Sequence, residues 1–182
     1  MRREAILMSI FSILLSLFEC GKKAHINTFF PSPVPLPAGE TLTGLHMTRQ
    51  GMRSGLCYVM SVEGEDIFLK MTNCHPLEKE YRFNAKEILS KNEKCAIKST
   101  NDIQVLRDIE EALVDCGTVG WDGFNETIIM KNVTDTGERY EIYLRFSGGS
   151  TVSVYGIDIC PDRFNEVFNR IAAIFRRTVK WE

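Results

Sequence analysis

At 182 residues, 44% hydrophobic and 25% charged, the chain can bury the core of one ordinary domain and is too apolar to be disordered. A formal net charge of −2 and a pI near 6.0 remove the electrostatic ground for nucleic-acid binding.

Met1-Arg2-Arg3 followed by an apolar run from Ala5 to Phe18 has the charged start and short hydrophobic stretch of a secretory signal, predicted over residues 1–19. The run falls short of the roughly 20 residues a membrane span needs. A buried N-terminal helix is the structural alternative, but the run is apolar on all sides and stops abruptly at Cys20-Gly21-Lys22-Lys23. That stop resembles the cleavage and lipidation site of bacterial lipoproteins, where the cysteine becomes the acylated N-terminus. Leu17 fits the pattern three places before the cysteine, whereas Glu19, directly before it, stands where the pattern has a small residue. The resemblance implies lipidation at Cys20, a membrane as partner and a cell-envelope address.

Residues 20–40 read as anchor site and tether. Pro31-Ser32-Pro33-Val34-Pro35-Leu36-Pro37 favours extended polyproline II. It reads as a spacer in preference to a docking ligand, because an exported chain does not meet the cytoplasmic domains that read such motifs.

A single domain is expected over residues 41–182. Leu42 to Met47 suggests a strand and Gly51 to Gly55 a loop. The runs 57–62 and 67–71 flank Glu63-Gly64-Glu65-Asp66, a hairpin signal. Tyr81-Arg82-Phe83 suggests another short strand, Asn84 caps a short helix through Ser90, and Lys91 to Thr100 reads as a loop. Asn101 is the expected cap of a helix, with Gln104 in the reciprocal position. Ile103, Leu106, Ile109, Leu113 and Cys116 form its apolar stripe, and Gly117 ends it.

Trp121-Asp122-Gly123-Phe124 reads as a turn. Thr127 to Met130, Glu141 to Phe146 and Thr151 to Tyr155 then suggest a three-stranded antiparallel meander, with turns at Asp135-Thr136-Gly137 and Ser147-Gly148-Gly149. From Phe164, apolar residues recur at Val167, Phe168, Ile171, Ile174 and Phe175, one face of a helix. Pro161 suits its first turn, and the acidic start and basic end match the helix dipole. The predicted class is α+β: an antiparallel sheet with two main helices, the C-terminal one packed across one face.

Trp121-Asp122-Gly123-Phe124, the strand–glycine–strand hairpin and Gly156-x-Asp158-x-x-Pro161-x-x-Phe164 resemble a domain found in uncharacterised bacterial lipoproteins. In that family the last motif has Asn where this chain has Asp158. The resemblance spans residues 121–175 and implies a fold and an envelope address, but no reaction.

Six cysteines are present without any C-x-x-C pair, which gives no support to a zinc ribbon or a thioredoxin-type motif. Hairpin register brings Cys57 and Cys74 near each other as a candidate disulfide. Cys95, Cys116 and Cys160 supply a second pair or serve as small buried hydrophobes, the reading that Cys116 on a helix stripe fits well. Of the three histidines, His25 lies in the tether, while His46 and His75 make no metal or nucleophile constellation with Cys74. Asp122, Asp135 and Asp158 are the acidic candidates, but Asp122 and Asp135 sit in turn-forming sequence and Asp158 is placed to bond backbone N–H groups just before the last helix. No catalytic residue, cofactor or metal is indicated. Two functions stand. The first is a non-catalytic envelope module contacting a protein or glycan through Trp121, Phe124 and Tyr155. The alternative is a small envelope hydrolase using Asp122 or Asp158.

Overall fold

The computed structural model describes residues 33–51, 55–73, 88, 95–127 and 137–180. Seven strands form one sheet: β1 (Leu42–Gln50), β2 (Gly55–Glu63), β3 (Asp66–Asn73), β4 (Cys95–Thr100), β5 (Asn125–Thr127), β6 (Arg139–Phe146) and β7 (Thr151–Ile157). Their order is β4-β3-β2-β1-β6-β7-β5. All neighbours are antiparallel except β5 and β7. The two helices are α1 (Ile103–Asp115) and α2 (Phe164–Thr178). The class is α+β, as the patterning indicates.

Alternation decides which side of the sheet is dry. Leu45 and Met47 of β1 stand beside Met60 and Tyr58 of β2 and Leu144 and Ile142 of β6. All six are fully buried and belong to one apolar core with both helices. A register shift between Leu42 and Gly44 keeps Leu42 opposite Phe146, so the bulge preserves the apolar side at the strand's start. The β2–β3 hairpin turns on Gly64 at φ 63°, a conformation glycine adopts without steric cost.

α2 buries the expected residues: Phe164, Val167, Phe168, Ile171, Ile174 and Phe175, with Ala172 as well. Its start differs from expectation. Pro161 lies in the preceding turn, where its carbonyl accepts from the Phe164 N–H at 3.1 Å, and Arg163 at φ 65° caps the helix. In α1 the cap is Asp102, whose side chain accepts from the Gln104 N–H, one residue later than predicted. Ile103 therefore sits on the first turn and is exposed, while Leu106, Ile109, Leu113 and Cys116 are buried as predicted. Gly117 follows at φ 70° in the expected left-handed position.

The helices run antiparallel and are pinned by charge. Arg170 bonds Asp115 at 2.8 Å, Arg163 bonds the Asp115 carbonyl at 2.5 Å, and Arg177 bonds Asp108. All described residues fall in one compact unit, Pro31–Glu182.

Three expectations are corrected. Cys95–Thr100, read as loop, is an edge strand paired to β3 from Ile67↔Thr100 to Thr72↔Cys95. The meander is a β6–β7 hairpin flanked by a parallel β5, since the chain reaches β7's outer edge from Phe124. β1 extends beyond Met47 to Gln50. The predicted elements at 81–83 and 84–90 lie outside the described residues except for Ile88, as do 128–130 and Asp135.

The end of the proline-rich segment rests on the domain. The Val34 N–H donates to the Val114 carbonyl at 3.2 Å. Glu40 accepts from the Gly148 N–H at 2.8 Å and from the Ser150 hydroxyl at 2.5 Å. Those bonds hold the Glu40 carboxyl below its usual range, the Ser150 hydroxyl contributing most.

Candidate functional site

The residues singled out by motif occupy the β5–β7 edge and build it. Trp121 closes a 3-10 turn, Thr118–Trp121, and is buried in the core. The Gly123 N–H, at φ 79°, donates to the Ser153 carbonyl at 3.0 Å. The Asp122 carboxylate accepts from the Ser153 N–H at 2.8 Å, so both bonds dock the turn onto β7. The Phe124 carbonyl then accepts from the Tyr155 N–H at 2.9 Å and starts the parallel pairing. Phe124 is half-buried against the core. Tyr155 is half-buried too, and the Arg139 guanidinium stands 5.9 Å from its ring centroid.

Gly156 is required by close approach: a Cβ there would meet the Ile159 carbonyl oxygen at 2.0 Å. Two residues later Asp158 takes φ 58°, and its carboxylate accepts from the Glu138 N–H at 2.9 Å. The Asp158 N–H returns a bond to the Glu138 carbonyl at 2.8 Å. Asp122 and Asp158 thus each hold a backbone N–H in different turns.

Beside this edge lies a polar network. Arg49 of β1 donates to Glu138 at 3.1 Å and to Asn165 of α2 at 3.1 Å. The Tyr140 hydroxyl donates to Glu138 at 2.5 Å. That bond is the chief cause holding the Glu138 carboxyl below its usual range. Burial, then Glu138, pushes the Tyr140 hydroxyl up to about 12. Arg49 carries bonds from several of its nitrogens within the cluster, so the network joins β1, β6 and α2 as a structural clasp.

The face of the sheet away from the helices carries a different chemistry. Register sets Cys57 of β2 between Thr48 of β1 and Thr72 of β3, and all three are buried. His46, paired with Val59, is diagonal to Cys57 on the same face, and its Nε2 lies 3.9 Å from the Cys57 Sγ. Loss of water around the half-buried ring lowers the His46 pKa to about 4, so the imidazole is neutral near pH 7. On β6, opposite Thr48, the Glu141 carboxyl is pushed up by burial, with Arg139 and then the Thr48 hydroxyl opposing.

A thiol beside an imidazole suggests a nucleophile, but the electrostatics oppose it. Activation needs His46 to take the thiol proton and become cationic, the form its surroundings disfavour. What remains is a thiol and a neutral imidazole facing each other. Among the described residues, no three or more His, Cys, Asp or Glu side chains gather where they could hold a metal ion.

None of Cys57, Cys95, Cys116 and Cys160 is joined to another of the four. Burial raises the pKa of two of these thiols, Cys116 inside the core and Cys160 packed against it. Cys74 and Cys20 lie outside the described residues. The Cys57–His46 contact is not legible from the sequence, whose pattern ends β1 at Met47. Extending it to Gln50 turns β1 and β2 into a hairpin, whose register places the two side chains on one face.

Comparison with protein-family models, with curated proteins and with solved structures returns no match.

Proposed function

We propose that the chain is an exported, lipid-anchored cell-envelope protein whose domain is a non-catalytic binding or structural module. The observation that carries the non-catalytic part is the use of Asp122 and Asp158. A hydrolase of the paired-carboxylate kind needs both groups facing one cleft. Here each accepts a backbone N–H, from Ser153 and Glu138 respectively. The anchor rests on the charged start and the short apolar run ending at Cys20. No helix among the described residues is long and apolar enough to cross a membrane.

The contact surface for a protein or glycan narrows to Tyr155 and the exposed part of Phe124, because Trp121 is part of the core. The Arg139 guanidinium lies over one face of the Tyr155 ring, which leaves a contact to the ring's other face or edge together with a fixed positive charge, suited to a polar glycan or peptide.

Metabolic labelling with a palmitate analogue tests the anchor. The label should enter the wild-type protein and be absent from Cys20→Ala, which should also leave the detergent phase. An intact N-terminus on protein purified from cells would rule the anchor out. Tyr155→Ala should weaken retention on envelope glycan while leaving the melting temperature close to wild type. Detection of hydrolysis that disappears in Asp122→Asn would favour the hydrolase reading instead.

A further inference from the structure

We propose that residues 34–39 form a detachable strap, which lifts from the domain as a unit, hinges at Gly39 and is stopped at Glu40. The domain's reach from whatever holds the chain before Val34 then has two lengths. The chemistry of the anchor does not enter the argument.

Seating comes first. In Pro33-Val34-Pro35-Leu36-Pro37 only Val34 and Leu36 own a backbone N–H, so the segment cannot zip along a strand edge. Exposure alternates: Pro33 and Pro35 face out, while Val34 and Leu36 are half-buried. The Val34 N–H donates to the Val114 carbonyl in the last turn of α1 at 3.2 Å, and Leu36 packs against the core. Gly120 makes room for Val34, since a Cβ there would come within 3.3 Å of the Val34 Cγ2. The same Val114 carbonyl accepts from the Gly117 N–H at 2.9 Å. Lifting the strap therefore leaves no orphaned acceptor, and α1 ends properly with or without it.

The hinge follows at once. The Glu40 N–H donates back to the Pro37 carbonyl at 3.0 Å, with Gly39 at φ 75° in the turn between. Ala38 and Gly39 are exposed, and no described atom stands within 4 Å of where a Gly39 Cβ would be. Glycine's wide φ range lets the chain swing at this point without strain.

From Glu40 onward the hold changes in kind. The Glu40 carboxylate accepts from the Gly148 N–H at 2.8 Å and from the Ser150 hydroxyl at 2.5 Å. The Thr41 N–H donates to the Ser147 hydroxyl at 3.1 Å, and the Ser147 N–H returns a bond to the Thr41 carbonyl at 2.9 Å. The Leu42 N–H donates to the Glu110 carboxylate at 2.9 Å. Bonds to a carboxylate are among the stronger ones. Among the described residues, the strap before this point is held by the Val34 bond and two half-buried aliphatic side chains. Segments with so few buried contacts open locally, at a fraction of the free energy of global unfolding. Opening residues 34–39 adds about 20 Å of reach, at about 3.3–3.6 Å per extended residue. A pull from the N-terminal side is taken up by the strap and halted at Glu40, before it reaches β1 at the centre of the sheet.

The experiment is amide hydrogen exchange by NMR on the full-length chain in detergent micelles, comparing Val34 with the buried Leu42 and with Ile171 of α2. The Val34 amide should exchange about a hundredfold or more faster than either. Leu36→Ala should speed Val34 about tenfold and leave Leu42 unchanged. In Gly148→Ala the added Cβ would meet the Glu40 carboxyl at 2.5 Å and dislodge it. Opening should then run past Glu40, with Leu42 exchanging about tenfold faster while Ile171 keeps its rate. Glu40→Gln should act in the same direction and serves if Gly148→Ala fails to fold. Equal protection of Val34 and Ile171 in the wild type would overturn the proposal by making the strap a fixed part of the fold. Equal acceleration of Val34 and Leu42 in Leu36→Ala would overturn it too, because no stop would then stand between them.

Discussion

The ring of Phe168 meets the ring of Tyr58 edge-on, their centroids 5.4 Å apart at an interplanar angle of 66°. Tyr58 also meets Phe175 at 5.2 Å, so one strand residue receives two turns of α2. Edge-to-face aromatic contact adds about 0.5–1.5 kcal/mol to what burial alone supplies. Phe168→Ala should therefore destabilise the domain by about 3–5 kcal/mol in chemical denaturation. Glu166→Ala, on the exposed side of the same helix, should shift the midpoint far less. Equal shifts at the two positions would contradict the core role of this face.

Gly156 and Asp158 make a second contrast. Gly156→Ala forces a methyl group into the Ile159 carbonyl, which the backbone must move to relieve. A loss of about 1–3 kcal/mol is expected. Asp158→Asn keeps an acceptor for the Glu138 N–H and tolerates the left-handed backbone, so its melting temperature should match wild type. Asp158→Ala should fall by about 1 kcal/mol or more, having lost that bond. A neutral Gly156→Ala in thermal melts would refute the close approach.

The Tyr140–Glu138 bond gives an alkaline signature. Tyr140 is raised from 10.0 to about 12, first by burial and then by Glu138. The stability tied to its neutral form is complete below pH 10 and is lost as pH rises through 12. Tyr140→Phe should flatten the stability profile over that window. Ultraviolet titration of tyrosinate should show absorbance still rising near pH 12, by an amount that Tyr140→Phe reduces. Glu138, being lowered, works in the opposite sense: its contribution is present above pH 4.5 and is lost as acid protonates it.

His46 predicts an acid signature. Its pKa falls from 6.5 to about 4 through burial. A depressed folded-state value means that the stability is present above pH 6.5 and is lost as pH drops through 4. His46→Gln should remove that part of the acid slope, and proton NMR of the imidazole should place its midpoint near the lower value. A midpoint near 6.5 would show a solvated ring and end the prediction.

How much of this was legible depended on how local the cause was. α2 was readable because its large apolar residues recur at helical spacing and its burial needs no other knowledge. The cap of α1 slipped by one, since Asn101 and Asp102 are both competent caps and only the bond to the Gln104 N–H separates them. β4 was missed because Cys95-Ala96-Ile97-Lys98 has no clean alternation, and what makes it a strand is its neighbour β3. All three residues of β5 are exposed, so no apolar pattern announces it; backbone pairing with β7 alone holds it. Asp122 and Asp158 each accept a backbone N–H in a turn, while Asp135 lies outside the described residues. Trp121, expected at the surface, is buried in the core, because a tryptophan next to a turn is equally at home beneath one.

The place of β1 in the sheet bears on how the chain acquires its structure. It is the central strand, yet one of its two neighbours, β6, contributes partners 102 residues later, as in the Thr43–Arg145 bond. Contacts of such separation slow folding, because loop closure must be met before they give any return. A nascent chain that has made β1 to β4 carries an open edge along the strand that will become its centre, and an open edge is a template for wrong pairing. Fragments ending before Arg139 should be protease-sensitive and prone to associate, and extension through Phe146 should end both behaviours. Whatever escorts the chain during synthesis therefore has to shield β1 until nearly four-fifths of the polypeptide exists.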